Sequence, residues 1–284
     1  MEEKLKKSNR KIIFGSVVYK SAEKYLKDFF TSLEMQGNVS FSILLLNDDI
    51  EIDDLKSIIS SYDLHIECIE CRNRTPVQLR IELLRQAKSR NADLLILGDC
   101  DDYFSNSRVQ DIVNVYEDNL EKAFFYNNLV NTNGKSLMPE LPETVVRFED
   151  IGEYNFLGLS NTAVNVNKLG YEFIESLEEY HYNIFDWYFY TRILLLGFQG
   201  MKVQRCNTIY RLHENNLAGI AEMNPVDIER EIHVKQQHYE CLEKYNSYYT
   251  LKFQQYQNEN QLEILNKQKQ HYWWNLTKCK ERKK

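Results

Sequence analysis

Residues 94–104 read LLILGDCDDYF. Leu94 to Gly98 carry no charge, and the next four residues hold three carboxylates, Asp99, Asp101 and Asp102. A short apolar run closed by a glycine reads as a buried strand. Carboxylates crowded at its carboxyl end resist ionising together unless a cation or hydrogen-bond donors face them. The fold follows from whether this strand is one of a parallel set, because such sheets bind ligands beyond the carboxyl ends of their strands.

The upstream pattern answers that. KIIFGSVVY (11–19), FSILLL (41–46) and LHIECI (64–69) are further strand-like runs. Between them lie helical patterns. In residues 22–36, Tyr25, Leu26, Phe29, Phe30 and Leu33 share one face. Residues 53–62 start with an acidic turn suited to the positive end of a helix dipole. Residues 76–90 start with Pro76, a favoured first helical residue. Repeated strand–helix alternation predicts parallel strands with helices on both faces.

Downstream the pattern loosens. A helix is expected from Ser107 to about Leu120, a hairpin or strand plus loop over 123–138 around Asn133-Gly134, and a strand over 161–166. An apolar helix, FDWYFYTRILLLGF (185–198), ends at Gly197, and GMKVQR and TIYRLH follow it. This half is expected to make the sheet mixed. From Pro225 two polar helical patterns, 225–246 and 248–282, carry scattered apolar positions and no glycine. They read as an appendage rather than more core, giving a catalytic domain over 1–222 and a helical extension over 223–284.

The bulk properties narrow the function. With 284 residues, 43% hydrophobic and 27% charged, the chain can bury a sizeable core. A net charge of −7 argues against nucleic-acid binding. The charged opening MEEKLKKSNRK lacks the apolar core of a signal peptide, and no window reaches the length of a membrane span. A reducing cytoplasm is the expected setting. Cys68 and Cys71 form a lone CxxC without the second pair that a zinc site needs, and read as small apolar fillers at a strand end.

Several polar groups sit where a site is expected. If 99–102 stays extended, Asp99 and Asp101 project to the same side and Asp102 lies opposite or turns inward. Mg²⁺ or Mn²⁺ takes one or two carboxylates plus phosphate oxygens. The plainer reading is an acidic turn before a helix capped by Ser105 or Asn106. Asn47-Asp48-Asp49 follows the second strand and could accept a base imide N–H, or be a solvated loop. Arg80 could meet phosphate or base, or be a surface charge. In YRLHENNLAG (210–219), His213 could ligate metal and Arg211 hold a diphosphate, or the stretch could be a polar loop. Asp186, amid Phe185, Trp187, Tyr188 and Phe189, suits a general base whose pKa apolar surroundings raise, or a helix cap.

Taken in order, VVYKSAEKYLKDFFTSL, LLLNDD, QLRIELLRQAKSRNADLLILGDCDDYF, FDWYFYTRILLLGF and YRLHENNLAG resemble the family 2 glycosyltransferases over roughly residues 11–219. The resemblance implies the GT-A fold, a Rossmann-like three-layer α/β/α sandwich on a mixed sheet, here with a C-terminal helical appendage. It implies inverting, metal-dependent transfer of a sugar from a nucleotide diphosphate sugar, with UDP the expected carrier, to an acceptor hydroxyl in bacterial surface polysaccharide or glycan synthesis. Asp101 would bind the Mn²⁺ or Mg²⁺, with Asp99 on the ribose or metal-bound water and His213 a late metal ligand. Tyr19 and Asp48, or Asp49 if the register shifts by one, would hold the nucleoside, Arg80 would support the nucleotide end, and Asp186 would be the base. Two departures stand out. NDDIEID replaces the usual glycine and serine after the nucleoside-binding acid, and Phe185 stands where relatives carry an acid. NFLGLSN (155–161) and Trp187 are acceptor-side candidates, though Trp187 fits core better.

A nucleotidyltransferase would want a glycine- and lysine-rich triphosphate loop, and GSVVYKSAEK supplies only Gly15 and two lysines. A non-catalytic carbohydrate-binding protein on the same fold is the other alternative. The tail HYWWNLTKCKERKK joins Tyr272, Trp273 and Trp274 to a basic run. It suits peripheral contact with an anionic membrane near a lipid-linked or glycan acceptor, while pairing of the long helices would give a homodimer.

Overall fold

The computed structural model describes residues 10–37, 39–138, 140–182, 184–211 and 225–258. The first half has strands β1 (Ile12–Val18), β2 (Ser42–Asn47), β3 (Ile66–Glu70) and β4 (Leu94–Leu97), separated by helices α1 (Leu26–Glu34), α2 (Ile52–Ile59) and α3 (Pro76–Ser89). All four strands are parallel, in the order β3-β2-β1-β4. β1 and β4 are buried throughout, as expected for strands covered on both faces, whereas β3 is an exposed edge. α3 begins with a reciprocal capping box, Thr75 with Gln78, and Pro76 in its first turn.

The period of two along β1 builds both cores. Ile12, Phe14 and Val18 face the layer of α1 and α2 with Phe29, Phe30 and Leu55. Ile13 and Val17 face α3 with Leu83 and Leu84. Phe14 meets Phe104 edge-to-face at 5.2 Å between ring centroids. Each such fully buried side chain contributes roughly 1.5–3 kcal/mol from the apolar surface removed from water.

Beyond β4 the chain forms β5 (Tyr103–Phe104), α4 (Arg108–Asp118), β6 (Phe124–Val130), β7 (Thr144–Val145), β8 (Thr162–Asn165), α5 (Tyr171–Ser176), α6 (Phe185–Leu195) and β9 (Gly200–Ile209). β8 lies antiparallel between β4 and β6, and β9 runs parallel to β6 with a bulge near Tyr126/Asn128. The described residues therefore form a nine-stranded mixed sheet, β3-β2-β1-β4-β8-β6-β9-β5, with β7 also on β9. The two short runs expected after Gly197 are one long strand. Residues 123–138 are strand β6 plus a loop that turns at Gly134, whose φ of +75° suits glycine, and bridges back through Ser136 to Val130.

The polar helical patterns behave differently from an appendage standing apart from the core. α7 (Pro225–Leu242) and α8 (Ser247–Asn258) form a hairpin. Ile232, Tyr239, Leu242, Tyr249 and Tyr256 are buried in the same apolar cluster as α6 and the sheet. Tyrosine explains the difference: it counts weakly in a hydropathy pattern yet buries a large ring. The tail with Tyr272, Trp273 and Trp274 lies outside the described residues, among which no helix is long and apolar enough to cross a membrane.

Candidate active site

The chain moves from β1 outward to β2 and β3, then returns to place β4 on the other side of β1. This reversal sets the carboxyl ends of β1 and β4 at the switch point of the sheet, the place where a doubly wound sheet binds its ligands. Tyr19 follows β1 there and Asp99 follows β4. The Tyr19 hydroxyl donates to Asp101 Oδ2 at 3.0 Å. Burial, reinforced by the Asp101 charge, raises the Tyr19 pKa, so the phenol keeps its proton for that bond.

The acidic segment is a turn and not an extended piece, because the Asp102 N–H donates to the Asp99 carbonyl at 3.1 Å. Of the two readings of 99–102, an extended piece or an acidic turn, the turn therefore holds, and the three carboxylates take separate directions. Asp99 accepts from Arg80 Nη2 of α3 at 2.6 Å. Asp101 meets Tyr19. Asp102 turns inward, where it is 1% exposed and accepts from Ser160 Oγ at 2.5 Å and the Arg211 N–H at 3.0 Å. Burial raises the pKa of Asp99, with Arg80 opposing it and Asp101 adding to it. Burial also pushes Asp102 well above the carboxylate range, followed by the charges of Asp101 and Asp99.

Ser160 and Arg108 hold this turn in place, and the sequence marks Ser160 only as part of an acceptor-side stretch and Arg108 not at all. Ser160 Oγ also accepts from the Asp99 N–H at 3.3 Å. Arg108 is fully buried and donates to the carbonyls of Leu97 at 2.8 Å and Ser160 at 3.0 Å. It also reaches Asn127 Oδ1 at 3.0 Å and lies over the Phe104 ring at 4.6 Å. Burial lowers its pKa to about 10. Ser160 falls within NFLGLSN, but no local signal distinguishes a buried arginine in SRVQDIV from a surface one.

Asp186 sits in the first turn of α6, and its Oδ1 accepts from the Trp187 N–H at 2.8 Å. A Cβ placed on Gly158 would lie 3.9 Å from Asp186 Oδ2, so the 155–161 loop backs this carboxylate. Burial raises its pKa to about 7, against the Trp187 N–H, with the Asp99 charge raising it further and Arg80 lowering it. The interior here outweighs the favourable N-terminal end of the helix. Asp99, Arg80 and Asp186 thus share one electrostatic neighbourhood. Trp187 is core, with its indole N–H donating to the Ile151 carbonyl at 2.6 Å.

The remaining candidates lie around the rim. Asp48 is half-buried at the end of β2, and burial, then Asp49, raises its pKa. Asp49 is exposed and accepts from the Lys20 N–H at 2.5 Å. The Arg211 backbone joins the cluster through Asp102, while its guanidinium reaches Asp28 at 2.5 Å and lies over Tyr103 at 4.7 Å. His213 lies outside the described residues. Among the described residues no group of three His, Cys, Asp or Glu side chains is arranged around one metal position. Mg²⁺ and Mn²⁺ that complete their shell with phosphate oxygens need only one or two carboxylates, a donor set that Asp99 and Asp101 supply.

A sequence model described as glycosyl transferase family 2 matches residues 16–165, from β1 to the end of β8. No curated protein sequence matches the chain. Among solved structures, S. aureus TarS 1–349 in complex with UDP-GlcNAc is similar, with a TM-score of 0.61 and 15% identity over 87% of this chain and 72% of that one. The mannosyltransferase PcManGT from Pyrobaculum calidifontis, in complex with GDP-Man and Mn²⁺, has a TM-score of 0.54 and 11% identity over 82% and 64%. GalNAc-T7 with UDP, GalNAc and Mn²⁺ has a TM-score of 0.55 and 12% identity over 93% and 58%. At these identities the likeness is one of fold, and it is the GT-A fold.

Proposed function

The chain belongs to glycosyl transferase family 2 and is a glycosyltransferase that uses a nucleotide sugar, and on that basis we propose that it inverts the anomeric centre with Asp186 as general base. The observation that carries this reading is Asp186 itself. It is a lone carboxylate held to about 7, facing the field of Asp99 and Arg80 at the carboxyl edge of the sheet. A base of that pKa is half ionised near neutrality and strong enough to take a hydroxyl proton as attack proceeds.

In this reading Asp186 takes the acceptor O–H proton. The acceptor oxygen forms its bond to the anomeric carbon from the face opposite the leaving group. The bond from that carbon to the diphosphate oxygen breaks, and its electron pair leaves with the nucleotide. Opposite-face attack inverts the centre, and no second carboxyl acid is needed, in contrast to glycoside hydrolysis. Asp101 and Asp99 would hold a divalent cation, which when bound neutralises charge on the departing diphosphate. Tyr19 orients Asp101, and Arg80 orients Asp99. Asp48, at the end of β2, is the nucleoside-side carboxylate, and UDP is the proposed carrier. Residues 1–222 form the catalytic unit and 223–284 an extension whose described helices dock on it. The proposed acceptor is a hydroxyl of a glycan or of a lipid-linked acceptor.

The test is a panel of UDP- and GDP-sugars incubated with the full chain and Mn²⁺, read by release of free nucleotide. Release from one donor supports the reading. Pyrophosphate formation from a nucleoside triphosphate and a sugar phosphate, with no nucleotide release, would sink it.

A further inference from the structure

The C-terminal hairpin contributes a side chain to the support of α6. His238 of α7 stacks on Trp187 with ring centroids 3.6 Å apart and planes 12° from parallel. The two residues are 1% and 0% exposed. Trp187 is pinned at two further points: its backbone N–H holds Asp186 Oδ1, and its indole N–H holds the Ile151 carbonyl. Burial, and then the Lys235 charge on the preceding turn, hold the imidazole far below its ordinary pKa, so the stack is between neutral rings.

Neither ring nitrogen of His238 has a hydrogen-bond partner among the described residues. A buried polar ring without partners is a liability for folding alone. Its planar shape is what the interface uses, wedged flat between Trp187 and Tyr249, whose ring meets it edge-on at 5.9 Å.

We propose that His238 is a positioning residue, which fixes the Trp187 ring and through it the first turn of α6 and the Asp186 carboxylate. This rests on the assignment of Asp186 as the base. His238 touches no reacting atom. Its loss should leave nucleotide binding intact and degrade proton abstraction.

The experiment compares two replacements in the full chain. His238→Phe keeps a flat ring, and His238→Leu fills space without one. Both are made also in a Trp273→Phe, Trp274→Phe background, where Trp187 is the sole tryptophan of the three in the sequence. The readouts are Trp187 emission, UDP–Mn²⁺ affinity by calorimetry, and kcat and KM for nucleotide release from the UDP-sugar that the parent turns over. The leucine variant should lose about tenfold in kcat with donor KM within twofold, and its emission should shift. The phenylalanine variant should stay within about threefold of the parent in kcat. Equal kcat and equal emission for the two variants, at whatever level, overturn the proposal. Asp186→Asn is measured alongside. Full activity there refutes the base assignment, and the Trp187 emission difference between leucine and phenylalanine then still decides whether the stack fixes the helix.

Discussion

Arg80 Nη2 lies 2.6 Å from Asp99 Oδ1, joining the second turn of α3 to the first residue beyond the Gly98 that closes β4. The pair is only partly exposed, 20% for the arginine and 26% for the aspartate side chain. Its charge-assisted bond is therefore weakly screened. Arg80 opposes the upward shifts that burial imposes on both Asp99 and Asp186, and so favours the charged form of each.

Replacing Arg80 by methionine should move the acid limb of the activity profile to higher pH. Both carboxylates then hold their protons longer. UDP–Mn²⁺ affinity at pH 7 should fall by about tenfold, equivalent to ~1.4 kcal/mol, and recover in part at pH 8.5. Calorimetry at the two pH values checks this, and an unmoved acid limb counts against the shared field.

Asp186→Asn should abolish transfer while sparing donor binding. In the parent, activity should rise about tenfold per pH unit below 7 and level off above, since the base must be ionised. Stability runs the other way. A carboxylate raised from 3.8 to about 7 on folding binds its proton more tightly in the native state. Stability therefore declines as pH climbs from about 4 to 7. The asparagine variant should melt above the parent at pH 8, with the gap closing below pH 4. Differential scanning calorimetry across that window is the check.

Asp101→Ala should leave the fold intact, because Asp101 is partly exposed and its carboxylate accepts from the Tyr19 hydroxyl at the end of β1 rather than holding the buried core together. The parent should gain thermal stability when UDP and Mn²⁺ are added together, by mass action on the native state. EDTA should reverse that gain, and the variant should show none of it.

Gly98→Ala tests how tightly the acidic turn is seated. The added Cβ would come within 2.5 Å of ring atoms of both Phe14 and Phe104. Both rings are buried, and they pack against each other, Phe29 and the Arg108 guanidinium. Overpacking of this kind costs about 1–3 kcal/mol, measurable by urea unfolding. A variant as stable as the parent would show that the turn relaxes freely.

Much of the layout is readable from linear pattern. Uninterrupted apolar runs such as LLIL mark strands buried on both faces, and the alternation with helices dictates parallel pairing by local rules. The carboxylates after Gly98, the lone Asp186 and the glycosyltransferase resemblance were likewise legible, because residue type and order carry them. Tertiary structure alone decided the rest. The acidic run read in sequence as either an extended piece or a turn, and the partners that hold it as a turn, Ser160, Arg108 and Arg211, come from distant segments. Arg108 and His238 look like ordinary surface residues in sequence, and only packing buries them. Likewise, the tyrosines of α7 and α8 blend into a polar pattern until α6 offers them a surface. Periodicity reports which face of an element seeks cover, whereas burial, pKa and stacking depend on which distant element supplies it.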